Sequence, residues 1–239
     1  MKYIGQELEI FANARRWKHY YSTLLNPYIL GNVLEVGGGL GSTVRTLLND
    51  KVVRWVSVEP DEELARRFEL SLEENPAKVK PEILSGTISN IKEEAAFDCI
   101  LYIDVLEHIK EDFQELTHAS FRLKKGGKVV VLSPAHQGLF TCFDQSIGHF
   151  RRYSRKSLLL AGANPNLKNI KAFYLDSVGL ILSFANKVIL RQRMPTPTQI
   201  QIWDSFIVPL SQICDRVFSY HIGKSVVGVW KKIDSEQQP

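Results

Sequence analysis

VLEVGGGLGS, residues 33–42, is the stretch whose reading decides the fold. Val33, Leu34 and Val36 form a short β-prone run. Gly37, Gly38 and Gly39 then let the chain turn through backbone angles closed to a Cβ, and let a ligand approach the main chain. Residues 40–49 follow with Leu40, Val44, Leu47 and Leu48 at helical spacing. A buried strand therefore runs through a glycine turn into a helix start. The free N–H groups of that turn suit an anion such as a carboxylate or phosphate.

Nicotinamide-dinucleotide enzymes place G-x-G-x-x-G at the same point, so a glycine turn alone leaves the cofactor open. Here Glu35 stands two residues before Gly37, Gly39 and Gly41 follow, and Ser42 replaces the third small residue of the dinucleotide pattern. This E-x-G-x-G-x-G resembles motif I of the class I S-adenosylmethionine (SAM) methyltransferases. The resemblance implies that Gly37, Gly38, Gly39 and Gly41 approach the cofactor, and that Glu35 orients it near its amino-acid end.

Working outward, residues 54–58 alternate into a second strand that ends in Glu59, Pro60 and Asp61. A carboxylate there, about twenty residues past the turn, can accept both hydrogen bonds of a ribose diol, which makes Glu59 the ribose ligand. Asp61 is the better cap for a helix over 61–73. Residues 81–84 form a third strand, closing on Gly86, Thr87 and Ile88. By the resemblance Thr87 and Ile88 line the adenine, while Ser89 and Asn90 stand where an adenine-binding carboxylate is often found.

FDCILYI, residues 97–103, is nearly continuously apolar, as a central parallel strand buried on both faces should be. It leads into DVLEHI, residues 104–109, which is similar to motif II and its loop in small-molecule members of the family. That likeness puts Tyr102, Ile103 and Asp104 beside the methionine part of SAM. A helix over 110–124 ending at Gly126 and Gly127, and a fifth strand over 128–133, complete five strand–helix units and predict a doubly wound parallel sheet. Residues 169–175 and 225–231 supply strands six and seven. The expected architecture is a mostly parallel seven-stranded α/β sheet in one domain, 1–239. A helical segment (1–30) precedes the sheet, with one helix over 4–25, and a lid-like helical insertion (176–222) lies between the last two strands.

Residues 134–158 form a loop too long for a simple connection, rich in polar and aromatic groups. Its P-A-H and D-x-x-x-G-H-x-R-R-Y resemble a loop found in a subgroup of bacterial SAM methyltransferases. Methyl transfer to a hydroxyl or a protonated nitrogen is helped by a base, and histidine titrates in the useful range. His108, His136 and His149 are the candidates, with Asp144 as partner and Tyr153 close by. His108 reads equally as a residue fixing its loop. Arg151 and Arg152, with Phe140, are candidate substrate contacts, since paired arginines suit an anionic acceptor. No metal is required.

The chain has 239 residues, a net charge of +4, 44% hydrophobic and 23% charged residues, which fits an ordinary globular protein. Its basic residues are spread out, and no N-P-P-Y-type tetrad follows strand four, so nucleic acid is not expected as a partner. Three cysteines without ligand spacing suit a reducing compartment. The start carries no evident secretory signal, which makes the cytoplasm the default. The expected function is methyl transfer from SAM to O or N of a small molecule by a monomer or homodimer. Two alternatives are a SAM-binding protein without turnover, and a peripheral membrane enzyme for a lipid-linked or isoprenoid acceptor. The latter is motivated by the apolar insertion beside Lys187, Arg191 and Arg193.

Overall fold

A computed structural model of the chain describes residues 7–74, 79–185, 187 and 196–233. Ile4, Arg191, Arg193, Met194, Pro195 and the tail 234–239 lie outside the described residues.

The sheet is built from β1 (Gly31–Val36), β2 (Val52–Glu59), β3 (Glu82–Ser85), β4 (Phe97–Ile103), β5 (Leu123–Pro134), β6 (Leu167–Leu175) and β7 (Ser225–Lys232). Their order is β3-β2-β1-β4-β5-β7-β6, with β7 antiparallel to both neighbours and the other pairings parallel. This is the seven-stranded sheet expected from the sequence. Successive residues of a strand face opposite sides, so each run of Val, Ile and Leu feeds two cores. Val33, Cys99, Leu101, Val130 and Leu132 enter one core, and Leu34, Ile100, Val129 and Val131 enter the other. Parallel strands need crossovers. These are α3 (Ser42–Leu47), α4 (Glu62–Glu74) and α5 (Asp112–Arg122), with α7 (Arg155–Ala161) before β6. The strand order turns back between β1 and β4, where strands are added on one side and then on the other, and ligands collect at the carboxyl ends of strands beside such a switch point.

Three local expectations are corrected. The leading helix is two helices, α1 (Glu7–Ala12) and α2 (Arg15–Leu25), because the chain turns at Asn13 and Ala14. Helix α5 ends at Arg122, and Gly126 and Gly127 lie inside β5. A Cβ at Gly127 would press on the backbone oxygens of Lys124 and Phe97, so the glycine serves a close strand approach there. The 134–158 segment is ordered by a short α6 (Cys142–Ser146) and by α7, whose start it contains. Asp61 caps α4 as expected, accepting from the amides of Glu63 and Leu64. The insertion holds α8 (Ser177–Ala185), α9 (Pro197–Ile202), a π turn at Trp203–Ile207 and α10 (Val208–Val217).

Candidate active site

The glycine turn follows β1 with Gly37, Gly39 and Gly41 at φ +76°, +52° and +75°, a region that strongly favours glycine. A Cβ on Gly37 would overlap Val105, and one on Gly41 would fall in the Phe68 ring. Gly37 and Gly38 donate to the carbonyl of Val58. Gly39 donates to Glu59 Oε2 at 2.8 Å, and Glu59 Oε1 accepts from the Asp61 amide at 3.0 Å. Glu59, expected from the sequence as the ribose ligand, thus latches the glycine turn. Burial raises its carboxyl, while the Asp61 and Gly39 amides oppose the rise.

Glu35 lies beneath the turn and is fully buried. Its Oε2 accepts from Ser57 Oγ at 2.5 Å and Trp55 Nε1 at 3.0 Å, while Oε1 has no hydrogen-bond partner among the described residues. Burial raises the carboxyl to about 7, opposed by the side chains of Ser57, Trp55 and Thr43. A cradle of left-handed glycines that a Cβ would fill, with a buried carboxyl beside it, suits a ligand with a positively charged amino-acid end. The residues present therefore fit SAM.

Above the turn opens a cleft of about 1200 Å³. Gly37, Gly38, Gly39, Ile103 and Asp104 form its floor, Leu8, Phe11, Lys18 and Tyr21 its roof, and Ile200 and Trp203 one wall. The roof is held by side chains remote in sequence. Ala14 offers no capping side chain to α2, and Asp204 accepts from the Arg16 amide at 3.1 Å and the Trp17 amide at 2.8 Å in its place. Asp215 accepts from Tyr20 Oη at 2.8 Å and from the amides of Asp176 and Ser177, joining α2 to the start of α8. Both carboxylates are buried.

The far end of the cleft is polar. Asp144 is fully buried and accepts bidentately from Arg152, from the Thr141 amide and from His149 Nδ1 at 3.0 Å. Burial pushes its carboxyl up, but His149, Arg152 and Thr141 carry it well below the usual range. The other ring nitrogen of His149, Nε2, is turned toward Glu107 at 3.9 Å. His108 packs edge-on to His149 with ring centroids 4.5 Å apart, and burial lowers it to about 4. Asp104 meets the water of the cleft and adopts φ +54°. Enclosure by the surrounding walls still raises its carboxyl to about 6, opposed by His149, Lys224 and Lys18.

Of the residues named from sequence, the cleft gathers Gly37, Gly38, Gly39, Ile103, Asp104, His108, Phe140, Asp144, His149 and Arg152. The others stand elsewhere. His136 stacks on Tyr174 and its Nε2 lies 2.9 Å from the Gly223 carbonyl. Tyr153 is buried and donates to Asp112 at 2.8 Å, and Arg151 pairs with the same carboxylate at 2.5 Å. Tyr102 points to the opposite face of β4 and donates to Glu115 at 3.0 Å. Thr87 caps the turn that begins at Ile88, which is itself buried, and Asn90 accepts from the Thr87 amide. Glu35, Gly41, Glu59 and Pro60 border the turn outside the cleft lining.

Sequence reasoning missed Glu107, Lys224 and Asp204. Glu107 carried a signal, since it sits beside His108 in the quoted DVLEHI. Lys224 lies over the Trp203 ring at 4.1 Å and is 3.5 Å from Asp176, and burial lowers it against that carboxylate. No local pattern marks Lys224 or Asp204.

Residues 9–172 match the family described as a methyltransferase domain, well over half of the chain. No curated protein matches the sequence. A possible histamine N-methyltransferase of Thermotoga maritima shares 18% identity at a TM-score of 0.64, with 95% of each chain covered. Phosphoethanolamine N-methyltransferase 2 of Haemonchus contortus, solved with phosphomonomethylethanolamine and S-adenosylhomocysteine, shares 12% at 0.65, over 96% of this chain and 58% of that one. The (4+2)-cyclase SpnF shares 15% at 0.62, over 90% of this chain and 81% of that one. At such identities the likeness is one of fold, and the cyclase shows that the fold by itself does not fix the reaction.

Proposed function

We infer the chemistry of this chain from one premise: it belongs to the methyltransferase-domain family and is a SAM-dependent methyltransferase. We propose that it methylates an oxygen or nitrogen of a small molecule held at the polar end of the cleft. When bound, SAM supplies a methyl group already activated on a sulfonium. The protein's part is then to align the acceptor behind that carbon and keep water out. Gly37, Gly38 and Gly39 would hold the amino-acid end, Glu35 beneath them would answer its ammonium, and Glu59 would bind the ribose while loosening its hold on Gly39. Leu8, Phe11 and Tyr21 exclude water from above.

His149 is assigned to activating the acceptor for loss of its proton. Asp144 fixes its Nδ1 side and leaves Nε2 for the cleft. Arg152 is held by Asp144, so an anionic acceptor would meet Lys18 and Lys224 in the cleft rather than the arginine pair. The observation that carries this reading is that the Asp144–His149 pair and the glycine turn line the same cleft. It is tested by following S-adenosylhomocysteine release with a panel of small hydroxyl and amine compounds, beside SAM calorimetry. Turnover with one of them supports it. SAM binding without turnover on any supports a cofactor-binding protein, and no SAM binding overturns the site.

One observation favours a second reading. Ile181 and Phe184 of α8, Phe206 of the π turn and Ile213 and Val217 of α10 are all well exposed, while Asp204 and Asp215 point inward. That outer face, next to the Ile200 and Trp203 wall, suits an enzyme that meets a lipid-linked acceptor at a membrane surface. Among the described residues no helix is long and apolar enough to cross a membrane. Co-sedimentation with anionic liposomes at low salt separates the two readings.

A further inference from the structure

We propose that Glu107, His108 and His149 form a divalent-cation site at the acceptor end of the cleft, one that takes a borderline ion of the Mn²⁺, Fe²⁺, Co²⁺ or Zn²⁺ class. The three side chains each bring one donor atom, and these atoms lie within 4.8 Å of one another. Glu107 Oε1 and His149 Nε2 are 3.9 Å apart. Donors bound at about 2.0–2.2 Å to one ion lie roughly 3–4 Å apart, so small rotations of the side chains bring them into range.

The second observation is the state of Glu107. Its side chain is fully buried, its Oε2 accepts from Ser133 Oγ at 2.9 Å, and its Oε1 has no hydrogen-bond partner among the described residues. A buried carboxylate oxygen with no donor is costly unless a proton or a cation completes it. The nearby cations face elsewhere: Arg152 is bidentate to Asp144, and Lys224 is paired with Asp176. His149 Nε2 stands 3.9 Å from it.

The surroundings match those of a ligand set. A metal-bound histidine usually gives its other nitrogen to a carboxylate, and His149 Nδ1 is 3.0 Å from Asp144 Oδ1. His108 hydrogen-bonds the Gly148 backbone, one residue before His149. Two imidazoles and one carboxylate on one side of an ion leave its remaining positions open, and all three residues line the cleft, so the open side faces the acceptor. Such an ion would hold an acceptor oxygen and lower the pKa of a hydroxyl, which is how His149 would act. That role rests on the methyltransferase reading; the site itself rests on the geometry alone.

The test uses the full chain, stripped with chelator and titrated with Co²⁺ in the absence of SAM and acceptor. One equivalent should bind with visible d–d absorption, and two paramagnetically shifted imidazole resonances should appear in the proton spectrum. Glu107→Gln and His149→Gln should each weaken binding at least about 100-fold, and Asp144→Asn, which alters only the partner of a ligand, by about 10- to 100-fold. SAM calorimetry on each variant reports whether it is folded, and the wild-type resonances stand as evidence without any variant. No Co²⁺ binding, binding by both ligand variants as tight as that of the unsubstituted chain, or absence of two shifted imidazoles overturns the site. Failure of SAM binding with Co²⁺ bound would overturn the transfer reading and leave the cation site standing.

Discussion

The floor and the roof of the cleft are made in opposite ways. The glycine part of the floor is local: β1, its turn and α3 occupy consecutive residues, and Glu59, which latches the turn, stands 20 residues beyond Gly39. The roof depends on distance: α2 is capped by Asp204, 187 and 188 residues further along the chain, and anchored by Asp215 through Tyr20 across 195. The floor therefore leaves a pattern in the sequence, and the roof leaves almost none.

Substitutions can separate the two regions. The largest effect is expected where the polar end serves reactivity rather than cofactor binding. His149→Gln should lower the rate of transfer by about 10²- to 10⁴-fold, with SAM affinity little changed by calorimetry. A matching loss of SAM affinity would mean that the two ends of the cleft are one unit.

Next comes Glu35, under the floor. Its folded pKa lies near 7, above the ordinary 4.5, so between these values the folded chain keeps a proton that the unfolded chain has released. Stability should then fall as pH rises from about 4.5 to about 7, by at most about 3 kcal/mol for such a shift. Denaturation of Glu35→Gln across that range should show a flatter pH dependence. An unchanged slope would place the titration elsewhere.

Glu59→Ala should weaken SAM binding by about 1–3 kcal/mol, through loss of charge-assisted hydrogen bonds and of the latch on Gly39. Glu59→Gln, which keeps one acceptor oxygen, should lose less. The smallest effect belongs to the roof: Asp204→Ala should cost about 0.5–2 kcal/mol in denaturant unfolding, the worth of a helix cap. If Asp204→Ala instead abolished SAM binding outright, roof and floor would not be separable.

The same contrast explains what could be read in advance. All seven strands were legible, because the strands buried on both faces read as apolar runs and the glycine turn has a composition of its own. The helix boundaries were less so: Asn13 and Ala14 carry no breaker that interrupts the apolar spacing, and Gly126 and Gly127 look like a helix stop while sitting inside a strand. Of the residues that line the cleft, Gly37, Asp104 and His149 were named from spacing and motif. Arg151 was named because paired arginines suit an anion, and Tyr153 because it lies in the same loop motif, yet both turn to Asp112, away from the cleft. Adjacency in a loop does not say which way a side chain faces. Asp204 could not have been found at all, since a cap supplied from across the molecule has no fixed spacing to the helix it serves.

The capping of α2 by Asp204 also sets an order in time. Synthesis delivers α2 before the sheet and its cap after six of the seven strands, so most of the sheet can pair before the roof has anything to fasten to. Long-range closures of this kind form late, after the costly loop between their ends has been shortened by the structure inside it. A ribosome-bound chain stopped short of residue 204 should already hold the glycine turn between β1 and β2, with α2 unlatched above it.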